Sequence, residues 1–138
     1  MNVNKPKITV SVTDVERLDK LLESMPADAF PGKADLEAEL ERAEVVDSKA
    51  IPPTVVTMNS RVRFRVIESD EAFEMTLVYP RDMDESGGTL SILAPVGSAL
   101  LGLSEGDEIE WPRPGGGRMH VRIDAVLYQP ERAGEYHR

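Results

Sequence analysis

The chain has 138 residues and is 41% hydrophobic, which is enough apolar material for one compact unit with a core. Its formal net charge of −9 argues against direct binding of DNA or RNA, because such proteins present a basic face to the phosphates. With no cysteine, no apolar run that could span a bilayer and no signal peptide, the sequence predicts a cytoplasmic protein without disulfides or membrane segments.

Two helices are predicted in the first third of the chain. Thr13 and Glu16 have the spacing of a capping box, and apolar residues follow at helical intervals until Pro26 ends the run. A turn region that contains Asp28 leads to a second helix over residues 33–46, rich in Ala, Leu and Glu. A narrow apolar stripe on each helix predicts a short antiparallel hairpin of coiled-coil type, about 18 Å long.

The periodicity changes at a proline-containing linker, residues 47–53, from helical to alternating. We therefore predict an N-terminal unit, residues 1–51, and a C-terminal unit, residues 52–138. In the second unit the pattern predicts one short helix from Pro95 to Gly102. It also predicts five strands, at residues 60–68, 73–80, 89–93, 107–111 and 118–128. The fold class is α+β, with an antiparallel sheet and one short helix after the helical hairpin.

Gly97 and Gly102 enclose four residues, which is the spacing that opens a phosphate-binding loop. Such a loop continues with a lysine that neutralises phosphate charge and a hydroxyl that binds Mg²⁺. Here Leu103 stands in the lysine position, and residues 52–138 contain no lysine at all. We interpret the glycines as packing and capping positions for the short helix, and we expect no nucleotide, metal or other cofactor.

The acidic second helix has two interpretations. Asp35, Glu37 and Glu39 are expected on its polar face, which is either a solvated surface or a surface that enters a basic partner. In the second case Asp28, in the connecting turn, lies nearest to the tip of the hairpin.

A stripe of arginines and two histidines complete the candidate residues. The stripe, which alternates along one strand, faces either solvent or an acidic partner; it consists of Arg61, Arg63 and Arg65. His120 and His137 have no second histidine near them in sequence, so we interpret His120 as a strand residue. A Ser/His/Asp arrangement lacks any nucleophile-elbow pattern here.

One long segment, SILAPVGSALLGLSEGDEIEWPRPGG, resembles the C-terminal domain of the bacterial transcript-cleavage factors GreA and GreB. The similar features are the strand before Pro95, the Ala-Leu-Leu-Gly helix, and the turns at Gly106-Asp107 and Pro114-Gly115-Gly116. Further stretches, VVTMNSRVRFR, TLVYP and YQPERAGEY, are similar to the Rnk family of this superfamily, whose members are named as regulators of nucleoside diphosphate kinase. That resemblance covers nearly the whole chain and implies an FKBP-like C-terminal domain.

The resemblance also implies a function. It indicates a non-catalytic regulator of transcription elongation that binds RNA polymerase near its secondary channel and competes with Gre factors. Docking then falls to Leu93, Ala94, Pro95 and Val96, where Leu93 replaces a polar residue of the Gre proteins. The hairpin is too short to reach a distant active centre, and Asp28 is a single acidic tip residue instead of a pair. We therefore expect no transcript cleavage and no other enzyme activity.

Two other functions stay open. An FKBP-like fold allows peptidyl-prolyl isomerase activity, although only three Phe, three Tyr and one Trp are available to line such a site. The family name suggests regulation of nucleotide metabolism, which is either indirect, through transcription, or a direct effect on the kinase. The oligomeric state cannot be read from the pattern.

Overall fold

The structure is a computed structural model, and it describes residues 8–26, 33–112 and 117–134. In chain order its helices and strands are β1 (Thr9–Ser11), α1 (Val12–Glu23), α2 (Lys33–Arg42), β2 (Glu44–Val46), β3 (Arg61–Val66), β4 (Glu71–Val78), β5 (Thr89–Ser91), α3 (Pro95–Leu100), β6 (Glu108–Pro112) and β7 (Arg118–Tyr128). Single 3₁₀ turns occur at Ser48–Ala50 and Pro80–Asp82. The predicted α+β class is confirmed. Across these ranges no helix has the length and apolarity needed to cross a membrane.

The larger sheet has the strand order β5-β4-β3-β7-β6. The pairs β3–β4, β3–β7 and β6–β7 are antiparallel, as predicted. β5 instead pairs parallel with β4, so the prediction of a wholly antiparallel sheet is wrong at this edge. Residues 79–88 cause the difference, because a loop of this length carries the chain back to the starting end of β4, whereas a tight turn would form a hairpin.

The N-cap of the first helix lies two residues before the predicted cap, Thr13. Ser11 is the N-cap, and its Oγ accepts a hydrogen bond from the backbone N–H of Asp14 at 3.0 Å. The predicted capping box of Thr13 and Glu16 is therefore wrong. Thr13 lies inside the first turn, and its hydroxyl is 3.2 Å from that of Ser48.

The second helix ends at Arg42, so the predicted helical span of residues 33–46 is too long. The last three residues of the predicted span form β2, which pairs parallel with β1. Val45 and Val46 favour this outcome because β-branched side chains suit a strand, and β1 offers its backbone as a partner. Both helices line one groove, but the turn that contains Asp28 lies outside the described residues. The coiled-coil hairpin therefore stays a prediction.

The N-terminal segment and the larger sheet share one hydrophobic core. Ile8 and Leu18 are buried in the same cluster as Val62 of β3. Gly102 allows β1 to approach, since its φ of +82° suits glycine and a Cβ there would lie 2.7 Å from that of Ile8. The N–H of Thr9 also donates to the Gly102 carbonyl at 3.2 Å. β1 is thus fixed against the end of α3, while the division at residue 51 stays a prediction.

Candidate functional site

The predicted docking residues lie where β5 leads into α3, in a segment that we call the β5–α3 loop (residues 92–96) and that includes the first two residues of α3. Leu93, Ala94 and Val96 are half-buried, and Leu93 and Val96 pack against the edge of the core. Pro95 is the first residue of α3, where its fixed φ and missing N–H suit the helix start. The four residues therefore lie together on one short segment that is partly open to solvent.

Hydrogen bonds from two serines hold this loop in one shape. The Oγ of Ser91 accepts from the N–H of Leu93 at 3.1 Å, and the Ser91 carbonyl accepts from the N–H of Ala94 at 3.0 Å. The hydroxyl of Ser98 is buried and donates to the carbonyl of Ile92 at 2.7 Å. Because the loop is ordered by its own bonds, little conformational entropy is lost when a partner covers it.

Gly97 confirms the packing interpretation of the glycine pair. A Cβ at this position would lie 2.0 Å from the carbonyl oxygen of Ser91, so only glycine fits without moving the backbone. Gly102 meets Ile8 in a similar way. The two glycines bring α3 against the loop and β1, and neither forms a phosphate cradle.

The acidic helix is less uniform than its sequence suggests. Asp35 is half-buried, and Glu37 is exposed and accepts from Lys33 at 3.0 Å. The expectation that Glu39 lies on the polar face is wrong, since it is 2% exposed. Its carboxylate receives two hydrogen bonds from Arg42, of 2.6 and 2.7 Å. The reason is that Glu39 stands next to the apolar stripe, three residues after Leu36.

Carboxylates from β4 and from the turn between β3 and β4 neutralise the arginine stripe. Arg61 and Arg63 both contact Glu74, at 3.2 and 2.9 Å, and the hydrogen bond from Arg63 lowers the pKa of Glu74. Arg65 contacts Asp70 at 2.9 Å. These pairs favour the interpretation of a solvated strand face over that of a docking site for an acidic partner.

His120 joins two parts of the sheet. Its Nδ1 contacts Glu68, and its Nε2 is 3.0 Å from Glu110. The backbone N–H of His120 also donates to Glu68 at 2.9 Å, and this bond contributes most to lowering the pKa of Glu68 to about 2. Hydrogen bonding to Glu68 in turn raises the pKa of His120. Within the described ranges, no three His, Asp or Glu side chains are grouped as a metal site requires.

A buried carboxylate near the start of α1 was missed by sequence reasoning. Asp14 is 2% exposed, and its Oδ2 accepts from the N–H of Met58 at 3.1 Å. Burial raises the pKa of Asp14 from 3.8 to about 7, and the nearby Glu131 carboxylate adds to the effect. An Asp in the first turn of a helix is common and solvated, so its local pattern carried no signal.

A cavity of about 490 Å³ lies between α1 and the start of the Pro80–Asp82 turn, and two of its lining residues, Arg17 and Tyr79, interact electrostatically with Asp14. Its walls are formed by Arg17, Lys20, Leu21, Tyr79, Pro80 and Arg81. The sequence could not indicate this cavity, because Arg81 is far along the chain from the two cations on α1.

Comparison with known proteins finds a family model for each of two segments of the chain. Residues 51–128 match the family model described as transcription elongation factor, GreA/GreB, C-term, and residues 6–46 match the Rnk N-terminus. A relative from Escherichia coli strain K12, named regulator of nucleoside diphosphate kinase, is 46% identical over 97% of this chain and 98% of its own length. Transcription elongation factor GreA from Helicobacter hepaticus is 31% identical over 92% of this chain and 82% of its own length.

A solved structure is also similar. It is described as a prokaryotic transcription elongation factor GreA/GreB from Nitrosomonas europaea and is 67% identical, with a TM-score of 0.71. The match covers 90% of this chain and 100% of that chain.

Proposed function

The chain belongs to the GreA/GreB family of transcription elongation factors, with an Rnk-type N-terminus, and from this premise we propose that it regulates transcription elongation by binding RNA polymerase. It is a Gre-like regulatory protein related to regulators of nucleoside diphosphate kinase. In the proposal it binds near the secondary channel in the cytoplasm, performs no catalysis and competes with Gre factors.

The rigid β5–α3 loop is the observation that carries the proposal. It lies within the matched GreA/GreB segment and presents half-buried Leu93, Ala94 and Val96 in a shape held by Ser91 and Ser98. A partner that covers these residues would bury apolar surface at a low entropic cost. The loop therefore suits a docking contact, with Pro95 setting the direction in which the chain enters α3.

The two N-terminal helices support competition without transcript cleavage. α1 has 12 residues and α2 has 10, which corresponds to about 15–18 Å at 1.5 Å per residue. A projection of this length would end near the mouth of a channel. Asp35 and Glu37 supply its acidic surface in the proposal and Asp28 its tip, whereas Glu39 is bound internally to Arg42.

The first test is a binding experiment with purified components. The chain at micromolar concentration is mixed with core RNA polymerase and separated by size-exclusion chromatography. We expect co-elution, and we expect added GreB to reduce it because the two proteins share a site. Absence of co-elution would reject the proposal. Co-elution that GreB does not reduce would reject the shared site.

The name of the relatives from Escherichia coli suggests a second effect, on nucleoside diphosphate kinase. Since they are named regulators of nucleoside diphosphate kinase, we propose that this chain changes the amount of that kinase through transcription. Direct binding of the purified kinase would contradict this indirect route. Peptidyl-prolyl isomerase activity stays a hypothesis, and a proline-limited refolding assay without acceleration would remove it.

A further inference from the structure

The cavity beside α1 differs from the rest of the surface in its charge. The whole chain has a net charge of −9, yet three of the six described residues that line this cavity are cations. Arg17 and Lys20 contribute from α1, and Arg81 contributes from the turn after β4. Three positively charged side chains therefore line one concave place on an acidic protein.

Two of these cations have little charge compensation. Lys20 has no carboxylate within ion-pair distance among the described residues, and Arg81 has only a 3.9 Å contact with its neighbour Asp82. The arginines of β3, in contrast, contact carboxylates at about 3 Å, as Arg63 does with Glu74. An anion that enters the cavity would meet two positive charges, on Lys20 and Arg81, that have little compensation from carboxylates among the described residues.

The other three described residues of the cavity wall are two apolar side chains and a tyrosine. Leu21 and Pro80 line it, and the ring of Tyr79 lies beneath the Arg81 guanidinium, 6.0 Å away. A volume of about 490 Å³ is within the range of small-molecule sites, which combine apolar walls with a few convergent polar groups. A planar guanidinium beside an apolar wall can stack on a flat ring, while lysine and arginine both bind phosphate.

We propose that this cavity binds a small phosphorylated molecule with a flat apolar body, of the nucleoside phosphate class. The phosphate contacts Lys20 and Arg17, and the flat body lies between Arg81 and the wall formed by Leu21 and Pro80. The proposal departs from our expectation from the sequence that no nucleotide binds, but it does not involve the Gly97–Gly102 segment, which we still interpret as packing and capping positions. It is also independent of the β5–α3 loop and of polymerase binding.

The charge of the buried carboxyl group of Asp14 should affect ligand binding, because Asp14 interacts with two residues of the cavity wall, Arg17 and Tyr79. The negative charge of Asp14 raises the pKa of Tyr79 after the larger effect of burial, and Arg17 interacts with Asp14. A bound phosphate would therefore lie in the field of Asp14 as well as that of the cations. The charge of Glu131 acts on the same carboxyl. Protonation of Asp14 near neutral pH reduces the repulsion that a phosphate would meet.

The test is isothermal titration calorimetry of the full chain with adenosine diphosphate, guanosine diphosphate, inorganic phosphate and a glutamate-rich peptide. We expect a nucleoside diphosphate to bind with a dissociation constant below about 1 mM, and inorganic phosphate to bind more weakly because it lacks the flat body. Lys20→Glu and Arg81→Ala should each weaken binding by about tenfold.

The matched control is Lys49→Glu, which makes the same charge change at an exposed lysine that does not line the cavity. It should leave the dissociation constant within about twofold, apart from general screening. Absence of binding by both nucleotides at 1 mM, or equal weakening by Lys49→Glu, would overturn the proposal. Binding of the glutamate-rich peptide alone, lost in Lys20→Glu, would overturn it in favour of an acidic protein segment.

Discussion

The carboxylate of Asp14 accepts a hydrogen bond from the backbone N–H of Met58, and this 3.1 Å contact joins α1 to the segment that precedes β3. Both residues are buried, so the carboxyl group sits where its ionised form is poorly solvated. The contact helps to fix the position of the N-terminal helices against the sheet. It also makes the stability of that arrangement dependent on pH.

Asp14 should make the folded protein less stable as pH rises. The pKa of Asp14 is about 7 in the folded state, against an ordinary value of 3.8 in the unfolded chain, so between these values the folded state binds more protons than the unfolded state. Stability therefore falls from about pH 4 to pH 7 and levels off above. Asp14→Asn keeps an oxygen for Met58 and cannot ionise, so it should flatten the curve. The gain at pH 8 is about 4 kcal/mol when each pKa unit is taken as about 1.4 kcal/mol.

Urea denaturation at pH 5 and pH 8 measures this effect. Asp19→Asn is the matched control, because Asp19 is exposed on the same helix and its loss removes the same charge. If Asp14→Asn and Asp19→Asn respond alike to pH, burial of Asp14 does not control the pH dependence.

Gly97→Ala should disrupt the β5–α3 loop. The new Cβ would lie 2.0 Å from the Ser91 carbonyl oxygen, which forces the backbone of α3 or the loop to move. We expect a loss of about 3 kcal/mol in the free energy of unfolding. Gly88→Ala is the control, since its Cβ would meet only the flexible Ser86 hydroxyl at 3.4 Å. Thermal melts that show equal losses for both variants would contradict the close approach.

Glu39 and Glu37 should respond differently to substitution, although they are neighbours on one acidic helix. Glu39→Ala removes two short hydrogen bonds to Arg42 at a buried position and should cost about 2 kcal/mol. Glu37→Ala removes one hydrogen bond between an exposed carboxylate and Lys33, whose side chain is 9% exposed, and should cost less than about 1 kcal/mol. Chemical denaturation measures the free energy of unfolding of both variants. A larger loss in Glu37→Ala than in Glu39→Ala would contradict the burial of Glu39 and favour a solvated position.

His120 should stabilise the sheet most at low pH. The contact with Glu68 raises the pKa of His120, so its contribution is complete below the ordinary value of 6.5 and is lost as pH rises through the folded value. His120→Gln should therefore lower the melting temperature more at pH 6 than at pH 9. An equal loss at both pH values would show that charge on the imidazole has no part in the contact.

Local patterns predicted those elements that depend on nearby residues. The alternation of Val62 and Phe64 with arginines placed β3, and Pro95 placed the start of α3. The parallel pairings of β1 with β2 and of β4 with β5 depend on residues that are distant in sequence, so no local period reports them. The short strand β2 was taken for helix for the same reason.

Among the candidate sites, too, the sequence predicted only those formed by residues that are close together in the chain. The residues of the β5–α3 loop were found because they are consecutive and resemble a family segment. Asp14 meets Met58 across 44 positions, and the cavity combines α1 with Arg81, so both arise only on folding. Glu39 was predicted on the solvated face because helical spacing alone does not show which side chains pack over the edge of an apolar stripe. In the structure Glu39 is buried and is bound to Arg42.

In the proposed function the β5–α3 loop docks the chain on RNA polymerase. Val96→Asp places a charge on the half-buried docking surface, and Met83→Asp places the same charge at an exposed apolar residue outside the loop. The direct measurement is the affinity of labelled protein for core polymerase by fluorescence anisotropy, with circular dichroism to confirm that both variants fold. We expect Val96→Asp to bind at least about tenfold more weakly than the unmodified chain, and Met83→Asp to bind with the same affinity as the unmodified chain. Unchanged affinity in a folded Val96→Asp variant would contradict the proposed docking.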